Sequence, residues 1–294
     1  MILLSAAGGR TGRALLAALV ARGASVRAFV RNPDQREALL ALGAADVVVG
    51  DMVDADSVRQ ATAGCEQVLH VGPPMHAQEV DITKTFLTAA ADLGAQRFIY
   101  YSVMHPFLSD VRHHHLKLQA TEMIAAHGLP WSIIEPCRYM QHLEPIWPTV
   151  RDSGVHAMPF SVQAQFAVVD LLDLAEATAI VATQDGHEFA TYELAGPQNL
   201  SQEQMAQIIS EVLGRPVRAE ALSLETMAAN AAAKGVPPER IEQMTRMNAH
   251  YDTHGFRGNA HVLQWLLGRT ATRFSSYVER LASEQPSPMI STAG

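Results

Sequence analysis

Short apolar runs alternate with amphipathic, helix-length segments through the first 140 residues, and this alternation constrains the fold more than any other feature of the chain. Such runs are typical of strands, and a strand, a helix and a second strand in succession form a parallel pair with the helix packed on the sheet. The sequence therefore predicts an α/β fold, a Rossmann-like doubly wound parallel sheet. The predicted strands are residues 2–5, 24–33, 46–51, 66–74, 96–103 and 131–136.

The pattern changes beyond about residue 140, which predicts a second structural unit. Residues 163–183 look like one more strand and helix that return to the sheet, so the first domain is predicted to comprise 1–150 with this addition. Residues 186–284 are predicted to form a smaller, mostly helical domain, and Ser201 would cap one of its helices. Residues 285–294 have the composition of a disordered tail.

The loop "AAGGRTG" at residues 6–12 joins the first predicted strand to the first predicted helix. Gly9 and Gly12 match the last two glycines of a GxxGxxG loop, in which one lets a pyrophosphate approach and the next lets the helix pack on the strand. The helix N-terminus would then face the phosphates with free N–H groups. Ala6 replaces the first glycine, and we expect it to keep a negative φ angle. The loop predicts dinucleotide binding rather than a glycine turn without a ligand.

Arg31 closes the second predicted strand, where an acid would hold the ribose 2′-hydroxyl of NAD and an arginine would accept a 2′-phosphate. There is no Asp or Glu in residues 21–33, and Arg10 lies inside the loop. NADP(H) is therefore the favoured cofactor, although Arg31 in a purely solvated position is the alternative. Asp51 and Met52 lie where the adenine end of the cofactor would be, unless Asp51 only caps the following turn.

Three consecutive histidines begin the helix predicted at about residues 111–127. Neighbouring helical residues are about 100° apart, and no HxxxH spacing occurs there, so the cluster does not predict a metal site. His113 and Lys117, however, are four residues apart and share one face of the helix. Their spacing is that of the Tyr-xxx-Lys pair of short-chain dehydrogenases. His114 and His115 are more simply explained as a solvated or packing pair.

The chain resembles the NmrA-like, atypical short-chain dehydrogenase/reductase family over nearly its whole length. The resemblance rests on the motifs "SAAGGRTG", "VRNP", "VVVGDMVDADSV", "FIYYSV", "HHHLK", "IIEPCRYMQH" and "YELAGPQNLS". It implies an NADP(H)-binding Rossmann domain with a smaller domain that covers the substrate. Family members include reductases of quinones, dyes and plant phenolics, together with NADP-sensing regulators that catalyse no reaction.

By position, the resemblance implies that Lys117 contacts the nicotinamide ribose and that Pro136 and Tyr139 line the nicotinamide. The departures from the pattern are Ala6 in the loop and His113 in place of the tyrosine of ordinary short-chain enzymes. Because the charge of Lys117 would lower the pKa of His113 from about 6.5, we expect a neutral imidazole that polarises a substrate oxygen rather than donating its proton. Ser102 could share that oxygen, or it could be a capping serine.

The remaining candidates follow the predicted strand ends, where the ligand crevice of such a sheet lies. The candidate catalytic residues are His113, Lys117 and Ser102. The candidate cofactor-binding residues are Ala7, Gly9, Arg10, Thr11, Gly12, Arg31, Asp51, Met52, Gly72, Pro73, Lys117, Pro136 and Tyr139. The candidate substrate-binding residues, half of which could instead belong to the core, are Met75, His76, Met104, Tyr139, Met140 and Trp147.

A formal net charge of −8 argues against nucleic acid or an anionic membrane as a partner. The two cysteines, Cys65 and Cys137, form no CxxC pair, and the first residues do not form a signal sequence, so we expect a cytoplasmic protein without disulfides. A homodimer is compatible with the sequence.

The function predicted from these observations is an NADPH-dependent reductase that transfers hydride to a small apolar carbonyl, quinone or conjugated acceptor. The alternative is a non-catalytic NADP(H)-sensing regulatory protein of the NmrA type. A third, weaker option is epimerisation or dehydration on the same scaffold.

Overall fold

The computed structural model describes residues 1–284, and the predicted tail at 285–294 lies outside these described residues. Within them, seven parallel strands form a central sheet: β1 (Ile2–Leu4), β2 (Val26–Val30), β3 (Asp46–Val49), β4 (Gln67–Val71), β5 (Arg97–Tyr101), β6 (Trp131–Pro136) and β10 (Ala190–Leu194). Their order across the sheet is β3-β2-β1-β4-β5-β6-β10.

The helices cover both faces of the sheet, as the α/β alternation predicts. They are α1 (Arg10–Ala21), α2 (Arg36–Ala41), α3 (Ala55–Thr62), α4 (Glu79–Asp92), α5 (Arg112–His127), α6 (Trp147–Ser153), α7 (Leu171–Thr183), α8 (Gln202–Leu213), α9 (Leu224–Ala233), α10 (Pro238–His254), α11 (His261–Leu267) and α12 (Phe274–Ser283). Two 3-10 segments, Pro33–Gln35 and Met140–Ile146, complete the helical structure of the described residues.

The core divides into two layers because successive side chains of a strand point to opposite faces of the sheet. In β1, Leu3 packs in the layer that holds α3, α4 and α5. Ile2 and Leu4 pack in the other layer, which holds α1 and α7. Both faces of β1 are therefore buried, which is why its sequence is a continuous apolar run rather than an alternation of apolar and polar residues.

The second unit contains two small sheets and the C-terminal helices. One sheet has the order β11-β9-β7, with β7 (Arg138–Tyr139), β9 (Gln165–Val169) and β11 (Gln198–Ser201); the other pairs β8 (Val155–Met158) with β12 (Arg218–Ala221). Ser201 caps α8 in a capping box with Gln204, as its sequence predicts.

Two segments are placed differently from the prediction. Residues 190–194, assigned to the second domain from the sequence, form the edge strand β10 of the central sheet and pair in parallel with β6. The strand at 165–169 was predicted to return to the central sheet, but β9 joins the smaller sheet instead, and only α7 packs back against α1. A short apolar run predicts that a strand forms, but the sheet that the strand joins depends on pairing with strands that are distant along the chain.

Candidate active site

A cavity of about 660 Å³ lies at the carboxyl ends of β1, β4, β5 and β6. Its other wall comes from the second unit, through the segment after β8, Phe166 of β9, and helices α9 and α10. This is the crevice in which doubly wound sheets bind ligands, and its volume is typical of a small-molecule site.

The glycine loop opens directly onto this cavity. A Cβ atom at Gly12 would lie 2.2 Å from the Ala6 carbonyl oxygen, so glycine is required there for the helix to pack on the strand. At Gly9 the nearest atom would be 3.6 Å away, so the fold itself does not require glycine at this position. Gly9 begins α1 without a side-chain cap or an acid in the first turn among the described residues. The Gly9 N–H itself donates to the Ala6 carbonyl oxygen at 3.1 Å, so the N–H groups that fit a phosphate are those of Arg10, Thr11 and Gly12 in the first turn of α1.

Ala6 corrects one expectation, because its φ angle is +50° rather than negative. The loop therefore takes the left-handed conformation that the first glycine of the motif would adopt. An alanine in this region carries strain of roughly 1–2 kcal/mol, and strain of this kind is concentrated at ligand sites.

Lys117 is buried and forms an ion pair with Glu79, whose Oε1 lies 2.6 Å from the Lys117 Nζ. The same ammonium donates to the Tyr101 carbonyl oxygen, and Tyr100 Oη donates to Glu79 Oε1 at 2.7 Å. Burial acts to raise the pKa of Glu79, but the charge of Lys117 and the hydrogen bonds from Lys117 and Tyr100 outweigh it and leave this pKa lowered. Lys117 is thus fixed at the cavity wall by a charged partner.

Sequence reasoning missed Glu79. The signal available was an acid in the first turn of α4, the helix that follows β4, but such an acid usually only complements the helix dipole. Here α4 and α5 are adjacent, so the carboxylate is turned inward onto Lys117 instead. Gly72 makes room for it, because a Cβ at residue 72 would lie 2.5 Å from Glu79 Oε1.

His113 lines the cavity one helical turn before Lys117 and is half-buried. Burial, followed by the charge of Lys117, lowers the pKa of His113 to about 3, so its imidazole is neutral near pH 7. The sequence predicted this direction from Lys117, whereas burial is the larger cause. Ser102 also lines the cavity, and its buried Oγ has no hydrogen-bond partner within residues 1–284.

His114 and His115 take different environments. His114 is fully buried, with Nδ1 2.9 Å from the His105 carbonyl oxygen and Nε2 2.8 Å from Tyr251 Oη on α10. It therefore connects the two units, as a packing residue. His115 lies away from the cavity, with Nε2 3.3 Å from Gln119 Nε2. In the described part of the chain, no group of three or more His, Cys, Asp or Glu residues could hold a metal ion.

Tyr139 and Pro136 also reach the cavity wall from the end of β6 and from β7. Tyr139 Oη donates to Tyr101 Oη at 3.3 Å, and burial raises the pKa of Tyr139 to about 12. Cys137 lies between them, and burial raises the pKa of its thiol to about 12, so it remains protonated. The side chains of His113, Cys137 and Tyr139 are therefore neutral near pH 7, beside the buried ammonium of Lys117.

The predicted site residues divide into three groups. Those that the structure brings to the cavity are Gly9, Arg10, Thr11, Gly12, Gly72, Met75, Ser102, His113, Lys117, Pro136 and Tyr139. Arg31, Asp51 and Met52 lie beyond it, at the carboxyl ends of β2 and β3. Arg31 is exposed, and Asp51 Oδ1 accepts from the Val53 N–H, which is the turn cap considered as its alternative. Their cofactor roles stay predictions.

The third group does not reach the cavity. Met104, Met140 and Trp147 are packed in the core, because their apolar side chains fill the junction of the two units instead of its surface. His76 Nδ1 accepts from the Gln78 N–H just before α4, Ala7 is buried beneath the loop, and Pro73 lies outside the wall. The residues that cover the cavity in their place were not predicted: Met158, Phe160, Phe166, Met244, Met247 and Tyr251.

Fold and site together define a protein of the dinucleotide-binding Rossmann class with a covered cavity at its strand ends. Residues 1–281 match the model of the NmrA-like family, and the chain belongs to this family. The resemblance drawn from the sequence motifs is thereby confirmed.

The similar proteins include reductases that match over nearly their full length. The NAD(P)H azoreductase of Xenophilus azovorans is 25% identical over 284 residues, which are 96% of this chain and 98% of that protein. Quinone oxidoreductase 2 of Escherichia coli (strain K12) is 24% identical over 283 residues, 96% of this chain and 98% of that one. The crystal structure of an NADPH-dependent quinone oxidoreductase from Escherichia coli, complexed with NADPH, has a TM-score of 0.85 at 24% identity and covers 96% of this chain and 100% of that chain. The Rossmann-like fold is thus confirmed.

Among the helices of residues 1–284, none combines the length and the apolar character that crossing a membrane requires.

Proposed function

We propose that this protein is an NADPH-dependent reductase of quinones or other conjugated acceptors. The observation that carries the proposal is the continuity of one cavity, from the open N-terminus of α1 to Ser102, His113 and Lys117. Relatives that match this chain over nearly their full length are a quinone oxidoreductase and an azoreductase, which supports oxidoreductase chemistry with NADP(H). NADPH supplies the hydride when bound.

The residues of this chain bind the cofactor, orient the acceptor and stabilise the charge that develops on it. The N–H groups of Arg10, Thr11 and Gly12, in the first turn of α1, would hold the pyrophosphate, and Lys117 would hold the nicotinamide ribose. The Ser102 hydroxyl and the His113 N–H are two neutral donors at the cavity wall, and they would stabilise the negative charge that an acceptor oxygen gains on reduction. His113 polarises this oxygen and keeps its own proton; the proton that completes the reduced product comes from water.

The non-catalytic regulator is not favoured. The curated relatives that match nearly the whole chain are reductases. The cavity also extends past His113 to an apolar wall on α9 and α10, which a cofactor-only sensor does not need.

Replacing His113 with phenylalanine tests the proposal. With NADPH and a panel of quinones, we expect loss of NADPH absorbance for the unmodified protein and a fall in kcat of about 10²-fold for the variant, because one donor to the charged oxygen is removed. His115→Phe is the matched control, since His115 lies on the same helix outside the cavity, and its kcat should stay within about twofold. No turnover of any acceptor, together with NADP(H)-dependent binding of a partner protein, would favour the regulator.

Arg31→Ala tests cofactor choice separately. We expect the unmodified protein to bind NADPH more tightly than NADH, and the variant to lose about tenfold of that preference, because an arginine pairs with the 2′-phosphate. Fluorescence titration of both cofactors gives the two Kd values. Arg22→Ala, at the far end of α1, is the control and should change neither Kd. Equal affinity of the unmodified protein for both cofactors would remove the basis for NADPH.

A further inference from the structure

Arg138 presents a positive charge to the cavity without a carboxylate to balance it. Four cations line the cavity: Arg10, Lys117, Arg138 and Arg240. Arg10 pairs with Glu144, and Lys117 pairs with Glu79. Within the described residues, Arg138 has no carboxylate within ion-pair distance, and its side chain donates only to Met158 Sδ, at 3.7 Å. A half-buried guanidinium with a sulfur atom as its sole acceptor lacks the oxygen partners that usually compensate such a charge.

The fold holds this guanidinium on the substrate side of the cavity. Arg138 and Tyr139 are consecutive in β7, so their side chains point to opposite faces of the strand. Tyr139 turns toward Tyr101, and Arg138 turns toward the second unit, where its guanidinium carbon lies 5.1 Å from the ring centroids of both Phe160 and Phe166. Cation–π contacts with two rings fix the guanidinium but leave its N–H groups free to bind an acceptor.

The rest of the wall favours an anion. Of the cavity-lining residues that the structure describes, none is an aspartate or a glutamate. The apolar surface beside Arg138 is formed largely by methionines and phenylalanines, including Met158 and Phe160, which accommodate flat conjugated rings. Burial lowers the pKa of Arg138 to about 10, so the group remains charged near pH 7.

We propose that Arg138 is an anion-binding subsite, and that the acceptor reduced by this protein carries a carboxylate or sulfonate on its conjugated frame. This inference rests on the proposed reductase function and adds the class of acceptor. The planar guanidinium matches an oxyacid with two parallel hydrogen bonds, which a lysine in this position would not provide. The conjugated rings then lie on the apolar wall, with the reducible group toward Ser102 and His113.

The test compares a neutral naphthoquinone with its sulfonated counterpart. We expect the unmodified protein to have the higher kcat/KM for the sulfonate. Arg138→Met should lower kcat/KM for the sulfonate by about tenfold to a hundredfold, mainly through KM, and should leave kcat/KM for the neutral quinone within about threefold of the unmodified value. Arg138→Lys should retain only part of the preference for the sulfonate, because it keeps the positive charge but loses the two parallel donors of the guanidinium. Thermal unfolding of both variants checks that they fold.

Arg240→Gln is the matched control, since it removes one cation from the exposed part of the same wall. It should change kcat/KM for the sulfonated quinone by less than about threefold. An equal loss for both quinones in Arg138→Met would overturn the proposal, as would an equal loss for the sulfonate in Arg240→Gln. A weaker NADPH Kd in Arg138→Met would overturn it too, because the partner would then be a cofactor phosphate. If the unmodified protein reduces only the neutral quinone, the anion-binding subsite is ruled out and the reductase function stands. If it reduces neither quinone, the result counts against the reductase function itself.

Discussion

Lys117→Met is expected to lower the free energy of unfolding by about 3–5 kcal/mol. The Lys117 and Glu79 side chains are 6% and 2% exposed, so the substitution leaves a carboxylate in the interior with Tyr100 Oη as its remaining donor. Glu79 Oε2 already has no hydrogen-bond partner among the described residues, so no second donor compensates for the lost ammonium. Denaturant unfolding of the protein without cofactor measures the effect.

A double variant separates the effect of losing the ion pair from the effect of leaving the Glu79 carboxylate buried without its cationic partner. Lys117→Met combined with Glu79→Gln removes both charges and should recover most of the loss, to within about 1–2 kcal/mol of the unmodified protein. The exposed pair Arg59 and Asp92, at 3.0 Å with side chains 54% and 53% exposed, is the control, and Arg59→Met should cost no more than about 1 kcal/mol. If the double variant were as unstable as Lys117→Met, the uncompensated carboxylate would not be the cause.

Acidification from about pH 7 to pH 5 is expected to lower the free energy of unfolding by about 4 kcal/mol through four buried groups, His70, His114, His156 and Glu135. Burial lowers the pKa of His70 to about 3 and those of His114 and His156 to about 4. The unfolded chain binds protons at these imidazoles near pH 6.5 and the folded protein does not, so stability is lost as the pH falls, by about 2 kcal/mol for each.

Glu135 opposes this trend. Burial, followed by the charge of Glu193 on the neighbouring strand, raises the pKa of Glu135 to about 7. The folded protein therefore takes up a proton at Glu135 before the unfolded chain does, and this offsets about 2 kcal/mol of the loss on acidification. Glu135→Gln should remove the offset and steepen the decline. Urea unfolding at a series of pH values measures both proteins, and a stability that stayed constant down to pH 5 would contradict the neutral buried imidazoles.

The parts of the site predicted from the sequence are those that depend on local order along the chain. The glycine loop, Ser102 and the His113–Lys117 spacing each follow a strand end or lie on one helix face, and each reaches the cavity wall. Met104, Met140 and Trp147 satisfy the same local criterion, but they are packed in the core. Nothing in a single sequence distinguishes an apolar residue beside a pocket from one beneath it.

The α/β alternation, the glycine loop and the family could be read from the order of the amino acids alone, because strand and helix periodicity and the glycine spacing are local properties. Three features emerge only when the chain is folded: the different sheets that β9 and β10 join, the pairing of Lys117 with Glu79, and the exposure of Arg138 to the cavity. These features join residues that are distant along the chain, and their energies depend on burial, which exists only after the helices and sheets have packed together.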